Sequence, residues 1–579
     1  MDWDKYFTSN SNDNTTSAHL QCRELAHVMV AAGVRHAVLS PGSRNAPLII
    51  ALAREPRINK WVVTDERSAA FVAVGMAQRL QQPVMIACTS GSALLDYAPA
   101  IAEAYYRQLP IIVVSADRPR EWIDQNDSQT IRQCGALAAV VKHSYDLPTM
   151  LDNDDSRWYT NRLLNDAAIT ATTYPMGPVH INMPFGDPLC HTVAMPQTMP
   201  RIIARPAISH TLPAQEAQRL ADTIATSRRV LVVAGFHHQS DSLNRALSHL
   251  AKHDNVAILT ETISNLHDDN FIQAIDRTLA SMPTGDAAHY APQLLITMGG
   301  ALVSKVAKKF LRRYPAEQEW RIGIDHCTID TMQHLTMRID TPPETFFTQI
   351  DGLLPAHDST PQQNGNSYAQ LWRNLAESAL QRHQRYVAAA PWCDLKAFSM
   401  IIPSIPSNYT LHLSNGTSIR YAQLFGSEIK HLCYCNRGTS GIDGSTSTAL
   451  GTSIVAPDGE TSLLITGDMS FGYDLAGIAS QYNSARFKVI VMCNGGGNIF
   501  RFLNGTSALP ELEQYFEASR PVRFHAIAEA FGLSYYEAHS AATLAATLPQ
   551  FYSCQRQALL AIYTPAQENA TILRRYFGM

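Results

Sequence analysis

The stretch 465–503, ITGDMSFGYDLAGIASQYNSARFKVIVMCNGGGNIFRFL, decides the fold. The apolar run Leu463-Leu464-Ile465 stops at Gly467-Asp468. A segment of helical character follows at 475–482. A second apolar run, 487–492, then stops at Asn494-Gly495-Gly496-Gly497-Asn498. The pattern reads strand, helix, strand, with polar residues and glycines at both strand ends. Parallel α/β sheets bind ligands outside the carboxyl ends of their strands. On this reading Asp468 and Asn494, 26 positions apart, meet at one sheet edge. A carboxylate, an amide oxygen and a glycine-loop carbonyl are hard oxygen donors, a set that suits Mg²⁺ completed by phosphate. Glycines admit close backbone approach, and a helix starting at Gly467-Asp468 offers free N–H groups to a phosphate.

Working outward, the first third repeats the same alternation. Strands are expected at 37–39, 61–63, 84–88 and 111–114, with one at 179–183 closing the sheet. Their ends carry Ser40-Pro41-Gly42-Ser43-Arg44, Thr64-Asp65-Glu66-Arg67, Thr89-Ser90-Gly91 and Ser115-Ala116-Asp117-Arg118. Repeated strand–loop–helix units indicate a doubly wound parallel sheet. Glu66 opens a helix whose next residues are nearly all small or apolar, and a carboxyl in such surroundings keeps its proton more readily. Prolines at 188, 196, 200, 206 and 213 mark a linker. A middle α/β block follows, with strands at 230–234, 256–259, 294–298 and 321–324. It lacks a full GxGxxG, so no dinucleotide is expected there. Lys305 stands where the Gly299-Gly300 loop runs into a helix and is placed to meet an anion. A polar linker at 355–367 leads to the last block, which starts with a helix at 368–386 and ends with a long helical region and a strand at 559–563. The expected organisation is three α/β domains with parallel sheets, at 1–190, 191–355 and 365–579, the first beginning with a loose arm at 1–17.

The 579 residues carry a net charge of −4, with no basic surplus to neutralise a nucleic-acid backbone. No run approaches the length of a membrane span, and the polar, acidic start does not resemble a signal peptide. Ten scattered cysteines, with Cys433 and Cys435 at the wrong spacing for a zinc or redox pair, point to a reduced cytoplasmic protein.

Gly467-Asp468 followed 26 positions later by Asn494 resembles the diphosphate-and-metal motif of thiamin diphosphate enzymes. SPGSRNAPL (40–48), TDERSAAF (64–71), SADRP (115–119), NRGTSGIDG (436–444) and GGGNIF (495–500) together resemble a narrower group. That group is the 2-succinyl-5-enolpyruvyl-6-hydroxy-3-cyclohexene-1-carboxylate synthase family of menaquinone synthesis. The resemblance implies a thiamin diphosphate-binding fold of pyrimidine, middle Rossmann-like and diphosphate domains. It also implies decarboxylative addition of 2-oxoglutarate to isochorismate. Asp468, Asn494 and the Gly496 carbonyl are then the ligands of Mg²⁺ or Mn²⁺, and Glu66 is the catalytic acid at the cofactor pyrimidine. The same resemblance gives Ser90, Gly91, Asn415, Gly441, Ile442, Gly467, Met469, Ser470, Asn498 and Ile499 to the cofactor. Ser43, Arg44, Arg118, Ser128, Gln129, Lys305, Arg420, Arg437, Ile499, Phe500 and Leu503 go to substrate. Four of these arginines follow expected strand ends, and arginine pairs with carboxylates bidentately, as two dicarboxylate substrates require. Two departures stand out: Gly495 where the family often has a second Asn, and Gly416 where it usually has Ser. The family plan also implies a homodimer or dimer of dimers with sites at the subunit interface. Two other readings fit parts of the pattern: another thiamin diphosphate-dependent decarboxylase or acetolactate-type synthase, and a non-catalytic cofactor-binding scaffold.

Overall fold

The computed structural model describes residues 14–195, 199–283, 285–355, 367–482, 484–503, 505–519 and 521–578. Its strands form three larger parallel sheets and one two-stranded pair. The first sheet runs, edge to edge, Asn59–Val62, His36–Leu39, Val84–Cys88, Ile111–Asp117, Val179–Pro184 and Ser144–Asp146. The last runs Cys433–Tyr434, Tyr409–Leu413, Thr461–Gly467, Phe487–Cys493, Ala558–Tyr563 and Ser534–Ala538. Numbered within each sheet by chain order, both read 2-1-3-4-6-5. The two outer sheets therefore share one topology with no visible residue-level repeat. The middle sheet reads 2-1-3-4-5, as Val256–Thr260, Val230–Ala234, Leu294–Met298, Gln318–Ile322 and Met337–Ile339.

In each outer sheet the winding reverses between the first and third strands. That reversal opens a crevice at the strands' carboxyl ends, the place where such sheets bind ligands. In the first sheet the crevice is bounded by the residues after Leu39 and after Cys88. In the last it is bounded by the residues after Leu413 and after Gly467.

One helix pair joins the outer sheets. Glu66–Leu80 is buried continuously from Ser68 to Gln78, and it packs on Ser445–Val455, buried from Ser445 to Ser453. Their backbones nearly touch. A Cβ added at Gly75 would lie 2.0 Å from the Thr448 carbonyl oxygen, and one at Gly451 2.0 Å from that of Val72. Polar contacts line the same seam: Gln78 Nε2 donates to Thr452 Oγ1 (3.1 Å), which donates to the Gly75 carbonyl (3.1 Å). Around the pair, a single apolar cluster draws Val38, Val84 and Ile111 from the first sheet and Leu464, Phe487 and Leu559 from the last. The middle sheet docks through Asn265, whose side chain pairs with both the N–H and the carbonyl of Cys433 (2.7 and 3.1 Å) and so covers that edge strand.

Several expectations need correction. Val179–Pro184 is an inner strand, and Ser144–Asp146 is the edge. The middle sheet has a fifth strand, Met337–Ile339, and its fourth is Gln318–Ile322. Helix follows Gly467 directly as Asp468–Tyr473 and a 3₁₀ turn Leu475–Gly477, so the helix expected at 475–482 begins earlier and is shorter. The long C-terminal helical region is broken by strand Ser534–Ala538, and helix Ala566–Tyr576 follows the last strand. Most of the arm at 1–17 lies outside the described residues, but Thr15–Ser17 is a strand paired antiparallel with Thr192–Ala194. Residues 356–366 of the polar linker also lie outside them, as do 196–198 of the proline-rich one.

The helix contact makes a prediction. Replacing Gly75 by Ala forces the two helices apart, an overpacking cost of about 1–3 kcal/mol. The variant is expected to melt several degrees below the parent in a thermal scan, whereas Gly459→Ala, at an open surface turn, leaves any such loss to backbone strain alone.

Candidate active site

The half-site on the last sheet is built from three strand ends. Thr461–Gly467 and Phe487–Cys493 pair in register through Gly467 and Met492, so Asp468 and Asn494 leave the sheet side by side. Asp468 Oδ1 accepts from its neighbour's N–H at Met469 (2.7 Å), and Oδ2 accepts from Gly495 and Gly496 (3.0 Å each). Burial raises its pKa, and these backbone N–H groups hold it down in turn. Gly495 and Gly496 have φ of +88° and +101°, which glycine adopts without strain. A Cβ at Gly496 would also meet the Glu517 carbonyl oxygen at 2.4 Å.

Asn494 is buried, and its Nδ2 donates to Asp394 Oδ2 at 2.8 Å. Asp394 is held by Thr564 Oγ1 (2.6 Å) and, at its own N–H, by Asn569 Oδ1 (2.8 Å). Its pKa rises to about 6 through burial, opposed by the Thr564 and Asn494 hydrogen bonds and reinforced by the charge of Asp468. Because Asp394 takes the amide nitrogen, the Asn494 oxygen is the atom left for a ligand. Beyond this loop, Asn498 is pinned to the Ala566 carbonyl (2.8 Å), and the short helix Ile499–Phe502 carries half-buried Ile499 and Phe500. Leu503, also half-buried, follows it.

A second loop, 435–444, is organised by Asn415. Its Nδ2 donates to the carbonyls of Asn436 (2.6 Å) and Gly441 (2.7 Å), and its Oδ1 accepts from Arg437 Nη1 (2.9 Å). Gly416 has φ +102° with open space around it, so the departure from Ser costs no packing. Ser470 Oγ donates to the Ile442 carbonyl at 2.6 Å, tying this loop to the helix after Asp468. From the helix Ala98–Tyr106 packed on the first sheet, fully buried Glu103 accepts from Gly438 N, Thr439 N and Thr439 Oγ1 at 2.9, 2.7 and 2.9 Å.

On the first sheet, Glu66 is the first residue of its helix, with Asp65 as a cap accepting from Ser68 N (2.9 Å). Burial raises the Glu66 pKa, its own backbone N–H opposes this, and the charges of Asp96 and Asp65 add to the rise. Thr89 and Ser90, at the next strand end, have buried hydroxyls without hydrogen-bond partners. Gly91 (φ +89°) donates to Gln133 Oε1 at 2.7 Å. Arg118 donates to the Ser128 carbonyl through Nε (3.2 Å) and Nη2 (2.8 Å), and pairs with Asp127 at 3.0 Å. Ser128 and Gln129 are exposed on that loop, as is Ser43 on its own. Arg44 is buried and donates to the Phe185 carbonyl at 3.0 Å.

Arg420 and Arg437 form a separate basic pair. Burial lowers the Arg420 pKa, with Asp276 and Glu261 opposing and Arg437 adding to the fall. Behind them, Glu261 is fully buried with a pKa raised to about 7 by that burial. It accepts from Val303 N and Ser304 N (2.9 and 2.8 Å). Arg437 keeps a buried Nε without a partner. Lys305 is exposed at the start of helix Lys305–Arg313, and the lysine whose charge couples to Arg420 and Arg437 is Lys308, one turn on. Sequence reasoning missed Asp394, Glu103, Glu261 and Lys308, none of which sits in a recognisable motif.

Comparison with known proteins places this arrangement. Residues 23–136 match the thiamine pyrophosphate enzyme N-terminal TPP binding domain, and 416–562 match the corresponding C-terminal TPP binding domain. A 2-succinyl-5-enolpyruvyl-6-hydroxy-3-cyclohexene-1-carboxylate synthase of Porphyromonas gingivalis is 42% identical over 552 residues, 94% of each chain. Its counterpart in Flavobacterium psychrophilum is 38% identical over 94% of this chain and 96% of its own. The chain belongs to the 2-succinyl-5-enolpyruvyl-6-hydroxy-3-cyclohexene-1-carboxylate synthase family. Its fold is shared more widely. The crystal structure of benzoylformate decarboxylase from Polynucleobacter necessarius superposes with a TM-score of 0.68 at 15% identity, over 94% of this chain and 98% of that one. A putative thiamin diphosphate-dependent enzyme from Mycobacterium smegmatis gives the same score and identity.

The residues present fit the cofactor of this synthase family. Unpartnered hydroxyls of Thr89, Ser90, Ser414 and Ser445 are buried in the strand-end loops of both outer sheets and at the start of the connecting helix. Buried polar groups normally find partners, so a polar ligand accounts for them. Asp394→Asn tests the orientation of the Asn494 amide. An asparagine there no longer obliges Asn494 to present its oxygen. The Mg²⁺ concentration needed for half-maximal thermal stabilisation by thiamin diphosphate is expected to rise about 10–100-fold.

Proposed function

We propose that this chain joins 2-oxoglutarate to isochorismate with loss of CO₂, giving 2-succinyl-5-enolpyruvyl-6-hydroxy-3-cyclohexene-1-carboxylate in menaquinone synthesis. The reading is carried by one arrangement: the two outer sheets have the same topology, with Glu66 beside the crevice of one and Asp468, Asn494 and Gly496 at the crevice of the other. Full-length similarity to synthases of that name supports it.

Thiamin diphosphate, when bound, holds the electron pair left as CO₂ departs, the hard chemistry that belongs to the cofactor. The remaining tasks fall to side chains. Glu66 would donate a hydrogen bond to the cofactor pyrimidine, and its raised pKa suits a carboxyl that must carry a proton. Asp468, Asn494 and the Gly496 carbonyl would hold Mg²⁺ or Mn²⁺. The Gly496 oxygen already accepts from Asn498 N at 2.7 Å, and a carbonyl has a second lone pair for the ion. Arg420 and Arg437, with Arg44, Arg118, Lys305, Ser43, Ser128 and Gln129, would hold the carboxylates of the two substrates, and Ile499, Phe500 and Leu503 would shield the reacting carbon from water. Fixing both reactants in near-attack positions supplies much of the rate.

In this proposal two copies of the chain complete each site. In the single chain the charges of Asp96 and Asp65 act on Glu66, whereas Asp468 is held by backbone N–H groups of Met469 and of the 494–496 loop. Large apolar groups next to the two half-sites, Leu95 and Tyr473, are 46% and 52% exposed in the single chain. Covering them in a dimer or a dimer of dimers is consistent with interface-borne sites. Ten unpaired cysteines fit a reducing compartment, which the proposed cytoplasmic location provides. Among the described residues no helix is long and apolar enough to cross a membrane.

The test is CO₂ release by the purified chain with thiamin diphosphate and Mg²⁺. Turnover is expected only with 2-oxoglutarate and isochorismate together, and Glu66→Gln is expected to lower it by about 10²-fold or more. Turnover of pyruvate alone would assign the chain to an acetolactate-type or decarboxylase reaction, and no turnover with any 2-oxoacid would assign it to cofactor binding without catalysis.

A further inference from the structure

Outside that site, the middle sheet carries a separate cluster of ligating side chains. His237 and His238 follow strand Val230–Ala234 by a few residues, beyond its carboxyl end. Glu344 lies in the first turn of helix Pro343–Asp351. One ligand atom from each of the three lies within 4.8 Å of the others. The two imidazoles are stacked with centroids 4.3 Å apart. Their Nε2 atoms approach the same carboxylate oxygen, Glu344 Oε1, at 3.4 Å from His237 and 2.9 Å from His238.

One contact settles the tautomer of His237. Its Nδ1 lies 2.8 Å from the His238 carbonyl oxygen. A carbonyl only accepts, so Nδ1 carries the proton, and Nε2 of the neutral ring carries a lone pair. That lone pair faces a carboxylate oxygen at 3.4 Å. Two acceptors so placed need a cation between them, either a second proton on the ring or a metal ion. Glu344 Oε1 is buried, and its nearest donor is His238 Nε2 at 2.9 Å. A backbone carbonyl on Nδ1 is also the usual device that orients a metal-ligating imidazole. Four-coordinate zinc has Zn–N distances of about 2.0–2.1 Å, which sets neighbouring ligand atoms about 3.3–3.4 Å apart. The His237 spacing already matches. The His238 side chain is 41% exposed, and a small rotation brings it to the same separation.

We propose that His237, His238 and Glu344 bind one Zn²⁺ ion per chain, with the fourth position open to the adjoining cavity. Two imidazoles and a carboxylate are a ligand set that zinc takes where it keeps an open position. The cavity, of about 630 Å³, is lined by Phe236, Gly300, Arg321 and Pro343 and reaches Lys308 and Arg437 of the proposed substrate-facing basic cluster. Arg321 does not oppose a cation there with its full charge, because it donates to both carboxylate oxygens of Asp325 at 2.8 and 3.1 Å. The ion would clamp the loop after Val230–Ala234 to helix Pro343–Asp351.

The test is titration of the full chain, freed of metal by chelator, with Zn²⁺ by calorimetry and with Co²⁺ by absorption. One ion per chain is expected, with visible Co²⁺ bands of nitrogen and oxygen ligation. His238→Gln and Glu344→Gln are each expected to weaken binding by about tenfold or more while the far-ultraviolet dichroism stays as in the parent. Absence of uptake would overturn the proposal and leave a proton between His237 and Glu344. Uptake unchanged in both variants, or a thiolate charge-transfer band from a cysteine such as the exposed Cys327, would also overturn it.

Discussion

The structure depends on the contact between helices Glu66–Leu80 and Ser445–Val455. It is close because Gly75 and Gly451 each face a carbonyl of the other helix, with no room for a side chain. Small residues at such a crossing let two backbones approach, and the polar side chains buried along it, Gln78 and Thr452, pair with each other and with the Gly75 carbonyl. From this contact follows the shared apolar cluster of the two outer sheets. Glu66 is the first residue of one of these helices, so its carboxyl inherits its position from the packing behind it.

Around that frame the chain spends buried polar groups on holding loops in place. Glu103 fixes the 438–439 backbone, Asn415 the 436–441 loop, and Asp394 the Asn494 amide. Each is a buried acceptor or donor satisfied by backbone or amide partners, which is the condition for such groups to be tolerated in a core. Burial also explains why the carboxyls of Asp394 and Glu261 sit above the ordinary carboxylate range.

Much of this was legible in the sequence. Gly467-Asp468 and Asn494-Gly495-Gly496 stand at the ends of seven-residue strands with apolar centres, so both the strands and their ligand-facing ends could be read locally. What escaped had no local signal. Ser144–Asp146 and Met337–Ile339 are three residues each, too short to show a period. Ser534–Ala538 lies between helices Phe524–Ala530 and Ala541–Ser553, whose spacing masks it. Asp394 and Glu103 act on residues 100 and 335 positions away, a relation that only the folded chain displays. Lys308, whose charge couples to the arginine pair, follows no motif and takes its place from the helix turn that begins at Lys305.

The central claim is that Glu66 of one copy works with the Asp468–Asn494–Gly496 loop of another. Complementation between two inactive variants tests it most directly. Glu66→Gln and Asp468→Ala chains, each without turnover alone, are co-expressed so that mixed oligomers form, and turnover is measured on the purified mixture. If the halves come from different copies, a mixed dimer has one site with both halves intact, and activity returns. Should both halves come from the same copy, every site in the mixture carries one lesion, and the mixture stays inactive.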